Sequence, residues 1–238
     1  MTVFTSDHGD YLGDHWLGEK DFFHDCAVKA PLIVVDPQPQ ADGARGTVCD
    51  ALVTAIDLVP TLIEYFGGEP RPHVVEGRSL MPLLHSAAAA GWRRYAFSEY
   101  DYAMLEARLT VYQPIDDCRL FMAFDGRWKY IHATGFRPLL FDLARDPQEF
   151  CDCGADPRYQ SERERLRAAL LDWALRDHNR ITVPDRRIAA YAGGEQLRSG
   201  ILIGYWDEAE LASARTGLRP ADEKARANPD RFDRFPNS

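Results

Sequence analysis

The sequence predicts an α/β protein to which a small antiparallel sheet, covered by one long helix, has been added. Three observations carry that prediction. Residues 31–36, Pro-Leu-Ile-Val-Val-Asp, form a continuous apolar run, as a strand buried on both faces of a parallel sheet requires. Between Ala55 and Phe66 the apolar residues recur at helical spacing, which an amphipathic helix demands. After Tyr95 the texture changes to short aromatic-rich runs separated by turn residues, the mark of an antiparallel sheet. With 45% hydrophobic and 27% charged residues among 238, the chain can bury a sizeable core. It divides at the changes in texture into residues 1–94, 95–178 and 179–238.

Residues 2–6, Thr-Val-Phe-Thr-Ser, are β-prone and stop at Asp7-His8-Gly9, where glycine opens backbone conformations closed to other residues. This is a strand that delivers polar side chains at its C-terminal end. The run 31–36 follows as a central strand. Ile56, Val59, Leu62, Ile63 and Phe66 then define a helix that Gly67-Gly68 ends, and Pro60 places its start nearby because proline is excluded from a helix interior. Strand, helix and strand together indicate an α/β layer. Residues 95–100, 119–124, 127–133 and 138–143 supply the antiparallel strands. Asp125-Gly126 is expected to join the second and third of them as a two-residue hairpin with both residues at positive φ. Residues 161–178 form a long helix, with Leu166, Ala169, Leu170, Trp173 and Ala174 on one face and Ser161 and Glu164 as its capping box. From about Asn179 periodicity is weak, and the apolar island Ile201–Trp206 reads as part of a tail that docks on another surface.

Composition excludes some functions. The formal charge of −9 and a pI near 5.3 make the average surface repel nucleic acid and anionic membrane. No apolar stretch approaches the roughly 20 residues needed to span a bilayer, and residues 1–20 lack a basic segment followed by an apolar one. Five cysteines (Cys26, Cys49, Cys118, Cys151, Cys153) form no framework spacing, which suits a reducing, cytoplasmic compartment.

The residues with chemistry cluster near the start. Asp7 and His8 stand together at a strand end, where a turn directs both side chains to one cleft. Their carboxylate oxygen and imidazole nitrogen suit Mn²⁺ or Zn²⁺, whereas Ca²⁺ and Mg²⁺ prefer more oxygen. The same residues also fit a hydrogen-bonded turn that holds no ion. Lys20 and His15 lie in the loop that follows. There an ammonium can pair with an anionic substrate group and an imidazole can shuttle a proton, or both can be plain loop residues. Cys151 and Cys153 lack the second pair of a zinc site. Asp57 with Pro60-Thr61 reads as a structural helix start, and the basic residues from Arg215 to Arg231 are interleaved with acids as on a solvated face.

Longer stretches carry a resemblance. "TSDHGDYLGDHWLGEKDFFHDCAVKAPLIVVDP", "AIDLVPTLIEYFGGEPRPHVVEGRSLMPLL" and "GRWKYIHATGFRPLLFDLARDPQEFCDCGADP", in that order, resemble the C-terminal half of the sulfatase family in the alkaline phosphatase superfamily. The nearest likeness is to phosphonate monoester hydrolases and arylsulfatase-like phosphodiesterases, from Thr5 to about Arg180. The resemblance implies the C-terminal part of an alkaline-phosphatase-like α/β sandwich and hydrolysis of an anionic sulfate, phosphate or phosphonate ester. It makes Asp7 and His8 ligands of one divalent ion (Mn, Ca, Mg or Zn) and places Lys20 on the oxygens of the transferred group. It also implies a homo-oligomer assembled through the C-terminal arm. The departure concerns the nucleophile. None of the five cysteines begins the Cys-x-Pro-x-Arg or Cys-x-Ala-x-Arg signature whose cysteine becomes formylglycine, so nucleophile and a further aspartate ligand are expected upstream. The alternative is a non-catalytic remnant or partner subunit that keeps the interaction surfaces.

Overall fold

A computed structural model describes residues 1–86 and 91–176. Of these, Met1–Pro70 and the described residues from Val75 onward belong to one compact unit and Arg71–Val74 to another; the first is described below. The arm expected over residues 179–238, with its island Ile201–Trp206, lies outside the described residues.

Strand β1 (Thr2–Thr5) ends where the sequence places its end, and β2 (Leu32–Val35) occupies the apolar run. The two pair antiparallel, Val3 opposite Val34, which corrects the expected parallel arrangement. A parallel return needs a crossover of a dozen or more residues built around a helix. Here residues 6–31 contain only loops, a 3₁₀ turn and the four-residue helix α1 (Asp25–Val28). Burial of β2 on both faces is corrected as well: Leu32 and Val34 are half-buried, whereas Ile33 is 59% exposed and Val35 is exposed too. An apolar run shows that both faces are apolar, not that both are covered among the described residues.

Helix α2 (Leu58–Tyr65) follows a 3₁₀ turn at Ala55–Asp57, with Pro60 in its first turn, where no amide donor is required. Gly67 at φ +78 closes it. Its inner face is Pro60 and Thr61, while Ile56, Val59, Leu62 and Phe66 stay exposed. The helical spacing found the stripe but faced it the wrong way. The reason is Asp57, which is fully buried. Its carboxylate accepts from Thr54 N (2.8 Å) and Arg78 N (2.8 Å) and from both terminal nitrogens of Arg93. Thr61 Oγ1 donates to Asp57 O and accepts from Leu80 N (2.8 Å), just before α3 (Met81–His85). Polar anchors thus set the rotation of α2.

The second sheet runs in the order β3 (Ala96–Asp101), β4 (Arg119–Phe124), β5 (Trp128–Ala133), β6 (Leu139–Asp142), all antiparallel, with α4 (Glu106–Thr110) between β3 and β4. Phe124 pairs with Lys129 and Asp125 N donates to Trp128 O, so the hairpin turns on Gly126-Arg127, one residue later than expected. Only Gly126 takes positive φ, +95, because a hairpin with glycine first needs no second left-handed residue. Asp125 instead accepts from Arg127 N (2.9 Å) and Trp128 N (2.7 Å). Helix α5 (Gln160–Arg176) packs Leu166 and Leu170 on Ala123, Trp128, Tyr130 and Leu140. Its lead-in is capped earlier than Ser161: Asp156 accepts from Arg158 N (2.9 Å) across Pro157, where proline suits a first helical position. The opposite sheet face packs Met122, Ile131 and Phe141 on Phe23. Through Phe23 the sheet reaches the loop that follows β1.

Candidate functional site: the loop after strand β1

The loop Ser6–Gly9 is folded on itself. Ser6 Oγ donates to His8 O (2.7 Å) and to Asp7 Oδ1 (3.3 Å), and His8 N donates to Asp7 Oδ1 (3.1 Å). This is the hydrogen-bonded turn, and it employs one carboxylate oxygen only. The other, Oδ2, lies 3.4 Å from His8 Nε2. The imidazole contacts Gly9 O through Nδ1 at 2.6 Å; a carbonyl can only accept, so Nδ1 carries the proton and Nε2 presents its lone pair. The Asp7 side chain is 83% exposed. Lys20 Nζ donates to Nε2 at 3.0 Å. Asp7, His8 and Lys20 therefore converge.

Gly9 N donates to Ala27 O of α1 (2.7 Å), and a Cβ on Gly9 would lie 1.9 Å from Cys26 O. Helix α1 thus fits against the loop only because residue 9 is glycine. The segment that carries Lys20 is closed by Tyr11 N donating to Glu19 O (2.8 Å) and anchored by buried Tyr11, whose hydroxyl meets His24 Nδ1 at 2.7 Å. His15 stacks on His24 (centroids 3.9 Å) and lies 4.8 Å from the Phe150 ring. It also lines a cleft with Asp14, Asp25, Cys26 and Glu149. Its ring contacts belong to this stack.

Sequence reasoning missed His24, Tyr11, Lys129 and Glu149. One clue to them was available: Lys129 interrupts an otherwise apolar strand, Trp128-Lys129-Tyr130-Ile131. Burial, together with the charge of Lys129 and the nearness of the His15 ring, lowers the His24 pKa from 6.5 to about 4. Between those values the unfolded chain binds a proton that the folded chain refuses, so the stability His24 contributes is present above pH 6.5 and lost as pH falls towards 4. We expect a loss of about 1–2 kcal/mol, discounted because the ring is half-exposed. Melts at pH 7.5 and 5 should show it, and His24→Gln should flatten the difference; an equal slope in both proteins would refute the assignment.

Among the described residues no group of three His, Cys, Asp or Glu side chains is placed to hold a metal ion. The loop after β1 offers two donors, Asp7 Oδ2 and His8 Nε2. A separation of 3.4 Å between Oδ2 and Nε2 fits atoms that share one cation at about 2.0–2.3 Å each.

The family model for the C-terminal region of N-sulphoglucosamine sulphohydrolase matches residues 13–176. The chain belongs to the sulfatase family of the alkaline phosphatase superfamily, over that family's C-terminal region. It is 32% identical over 199 residues to the multifunctional alkaline phosphatase superfamily protein PehA of Trinickia caryophylli, which covers 82% of this chain and 37% of that protein. It is 31% identical over 223 residues to a choline-sulfatase of Rhizobium meliloti, covering 90% and 39%. Among solved structures it resembles the phosphonate monoester hydrolase of Agrobacterium radiobacter with a TM-score of 0.66 and 35% identity, over 73% of this chain and 34% of that one. The sulfatase-family chain thus spans little more than a third of the length of these relatives. Its mixed α/β layout, small antiparallel sheet and long helix are those of sulfatase-type folds.

Proposed function

We propose that this sulfatase-family chain forms part of a metal-dependent hydrolase of sulfate, phosphate or phosphonate esters. Asp7 and His8 hold one divalent ion (Mn, Ca, Mg or Zn), and Lys20 faces the transferred group. The observation that carries this reading is the convergence of Asp7 Oδ2, His8 Nε2 and Lys20 Nζ, with separations of 3.4 and 3.0 Å. A divalent cation bound there supplies Lewis-acid polarisation of a non-bridging ester oxygen. Lys20 donates to the oxygens on which negative charge grows. The Nδ1–H bond to Gly9 O keeps the His8 ring turned for that task, and Ser6 keeps the turn closed. His15 enters the proposal through its ring stack, which steadies the loop that bears Lys20.

Attack on phosphorus or sulfur needs a nucleophile, and no cysteine of the chain begins a Cys-x-Pro-x-Arg or Cys-x-Ala-x-Arg signature. We assign the nucleophile and the remaining ligands to the portion of the relatives outside the matched region. The outward apolar face supports this. Phe4, Ile33, Val35, Ile56, Val59 and Phe66 are all exposed, Phe66 by 79%, a set that suits cover by a further layer. A two-stranded sheet is also marginal by itself. The names of relatives include both a sulfatase and a phosphonate monoester hydrolase, so both ester classes belong to the proposal. A homo-oligomer formed through residues 179–238 and a reducing, cytoplasmic setting are its remaining parts.

The test is an assay of two polypeptides against aryl sulfates and phosphonate monoesters. The chain alone should give no turnover above buffer. Joined to the remaining portion of the Agrobacterium enzyme, it should hydrolyse one ester class with added Mn²⁺. Turnover by the chain alone that disappears in Lys20→Ala would refute the division of labour.

A further inference from the structure

Lys129 is the second residue of β5, 1% exposed, between buried Trp128 and buried Tyr130. Lysine is almost never fully buried without partners, and its partners all belong to two short segments. Nζ donates to Phe23 O (2.8 Å) and Asp25 Oδ1 (2.6 Å). It also stands 2.6 Å from Glu149 Oε1, an ionic contact without hydrogen-bond alignment. Glu149 is itself buried and held at φ +58, and its Oε2 accepts from Asp25 N at 2.6 Å. One ammonium and one carboxylate thus grip both the backbone and the side chain at the start of α1.

Helix α1 has only four residues, too few to hold a position by its own hydrogen bonds. Yet it bounds the proposed metal loop, since Ala27 O accepts from Gly9 N and Cys26 O occupies the space of a Gly9 Cβ. Gly9 follows His8 directly, and its carbonyl orients the His8 ring. A continuous mechanical path leads from β5 through Lys129, Asp25 and α1 to Gly9 and His8.

We propose that Lys129 is a positioning residue: with Glu149 it clamps α1 to the antiparallel sheet, and α1 in turn fixes the Asp7–Gly9 loop. The clamp gains its functional meaning from the proposed metal site, but its existence can be tested without metal. Removing one partner leaves buried charges unpaired, so the local opening of α1 becomes easier while the rest of the sheet keeps its packing under α5.

Amide hydrogen exchange on the full 238-residue chain reads this directly. In Lys129→Met the Gly9 and Asp25 amides should exchange at least tenfold faster than in the parent, with the Leu140 and Leu170 amides within about twofold. If Lys129→Met fails to fold, Glu149→Gln keeps size and an acceptor for Asp25 N while removing the charge, and it should speed Gly9 exchange in the same selective way. Unchanged Gly9 exchange in a folded variant would overturn the clamp. Equal acceleration at Gly9 and Leu140 would also overturn it, as Lys129 would then serve global stability alone. Failure of the chain to take part in any metal chemistry would sink the functional proposal and leave the exchange result standing.

Discussion

Arg93→Met is expected to lower the free energy of unfolding by about 3–5 kcal/mol, because it leaves a buried carboxylate without its charged partner. Asp57 is fully buried and Arg93 nearly so. The guanidinium meets both carboxylate oxygens and also donates to Thr54 Oγ1 (2.9 Å). Met fills much of the space of the arginine stem but leaves a buried carboxylate with the amides of Thr54 and Arg78 and the Thr54 hydroxyl (3.4 Å) as donors and no positive charge. Because Asp57 also starts α2 and reaches the backbone at Arg78, the loss spreads beyond one contact. Urea denaturation at pH 7 measures it, with an unchanged m-value showing that stability alone has moved. The double variant Asp57→Asn, Arg93→Met should recover part of the loss, since the unpaired charge is then gone. A loss below about 1 kcal/mol would place the pair among solvent-screened bridges and leave the rotation of α2 without its physical cause.

Lys20→Ala, made in the joined polypeptide, should lower kcat/KM by about 10²–10³, the usual effect of removing one donor to a developing oxyanion. The expectation rests on position. Lys20 Nζ lies beside the His8 ring atom proposed to bind metal, so an oxygen between cation and ammonium is reached by both. Its loop is closed by Tyr11 and Glu19 and anchored by the Tyr11–His24 contact, so truncation at Lys20 removes the charge without loosening the loop. Lys20→Arg should restore little, because a planar fork does not replace a compact ammonium at a point contact. An unchanged rate would assign Lys20 to the turn alone.

Much of this was legible in the sequence because the controlling physics is local. Thr2–Thr5 stops where Gly9 and its neighbours turn the chain, α5 follows its apolar stripe, and the second sheet follows its aromatic runs. Asp7, His8 and Lys20 were singled out from residue chemistry and family resemblance, and the fold brings the three together. What stayed hidden depends on distant partners. Residues 31–36 are apolar on both sides, and periodicity cannot say whether a strand pairs parallel or antiparallel. The stripe Ile56, Val59, Leu62, Phe66 was visible, but the buried Asp57–Arg93 pair that turns it outward joins residues 36 positions apart. The hairpin is the exception, moved by one residue for a local reason: the Asp125 side chain accepts from the amides of Arg127 and Trp128. Lys129 breaks an apolar strand, but the partners that explain its burial lie far off in sequence, 104 positions away at Asp25.

We propose that Asp7 and His8 hold the cation on which hydrolysis depends. The most direct test is the Mn²⁺ dependence of ester hydrolysis in the joined polypeptide, compared between the parent and Asp7→Ala. Loss of a first ligand should raise the half-saturating Mn²⁺ concentration by at least tenfold, an effect already typical of losing a mere supporting partner of a ligand. In Lys20→Ala the same titration should lose height. An Asp7→Ala enzyme that saturates at the parent's Mn²⁺ concentration, with the parent's rate, would contradict the account.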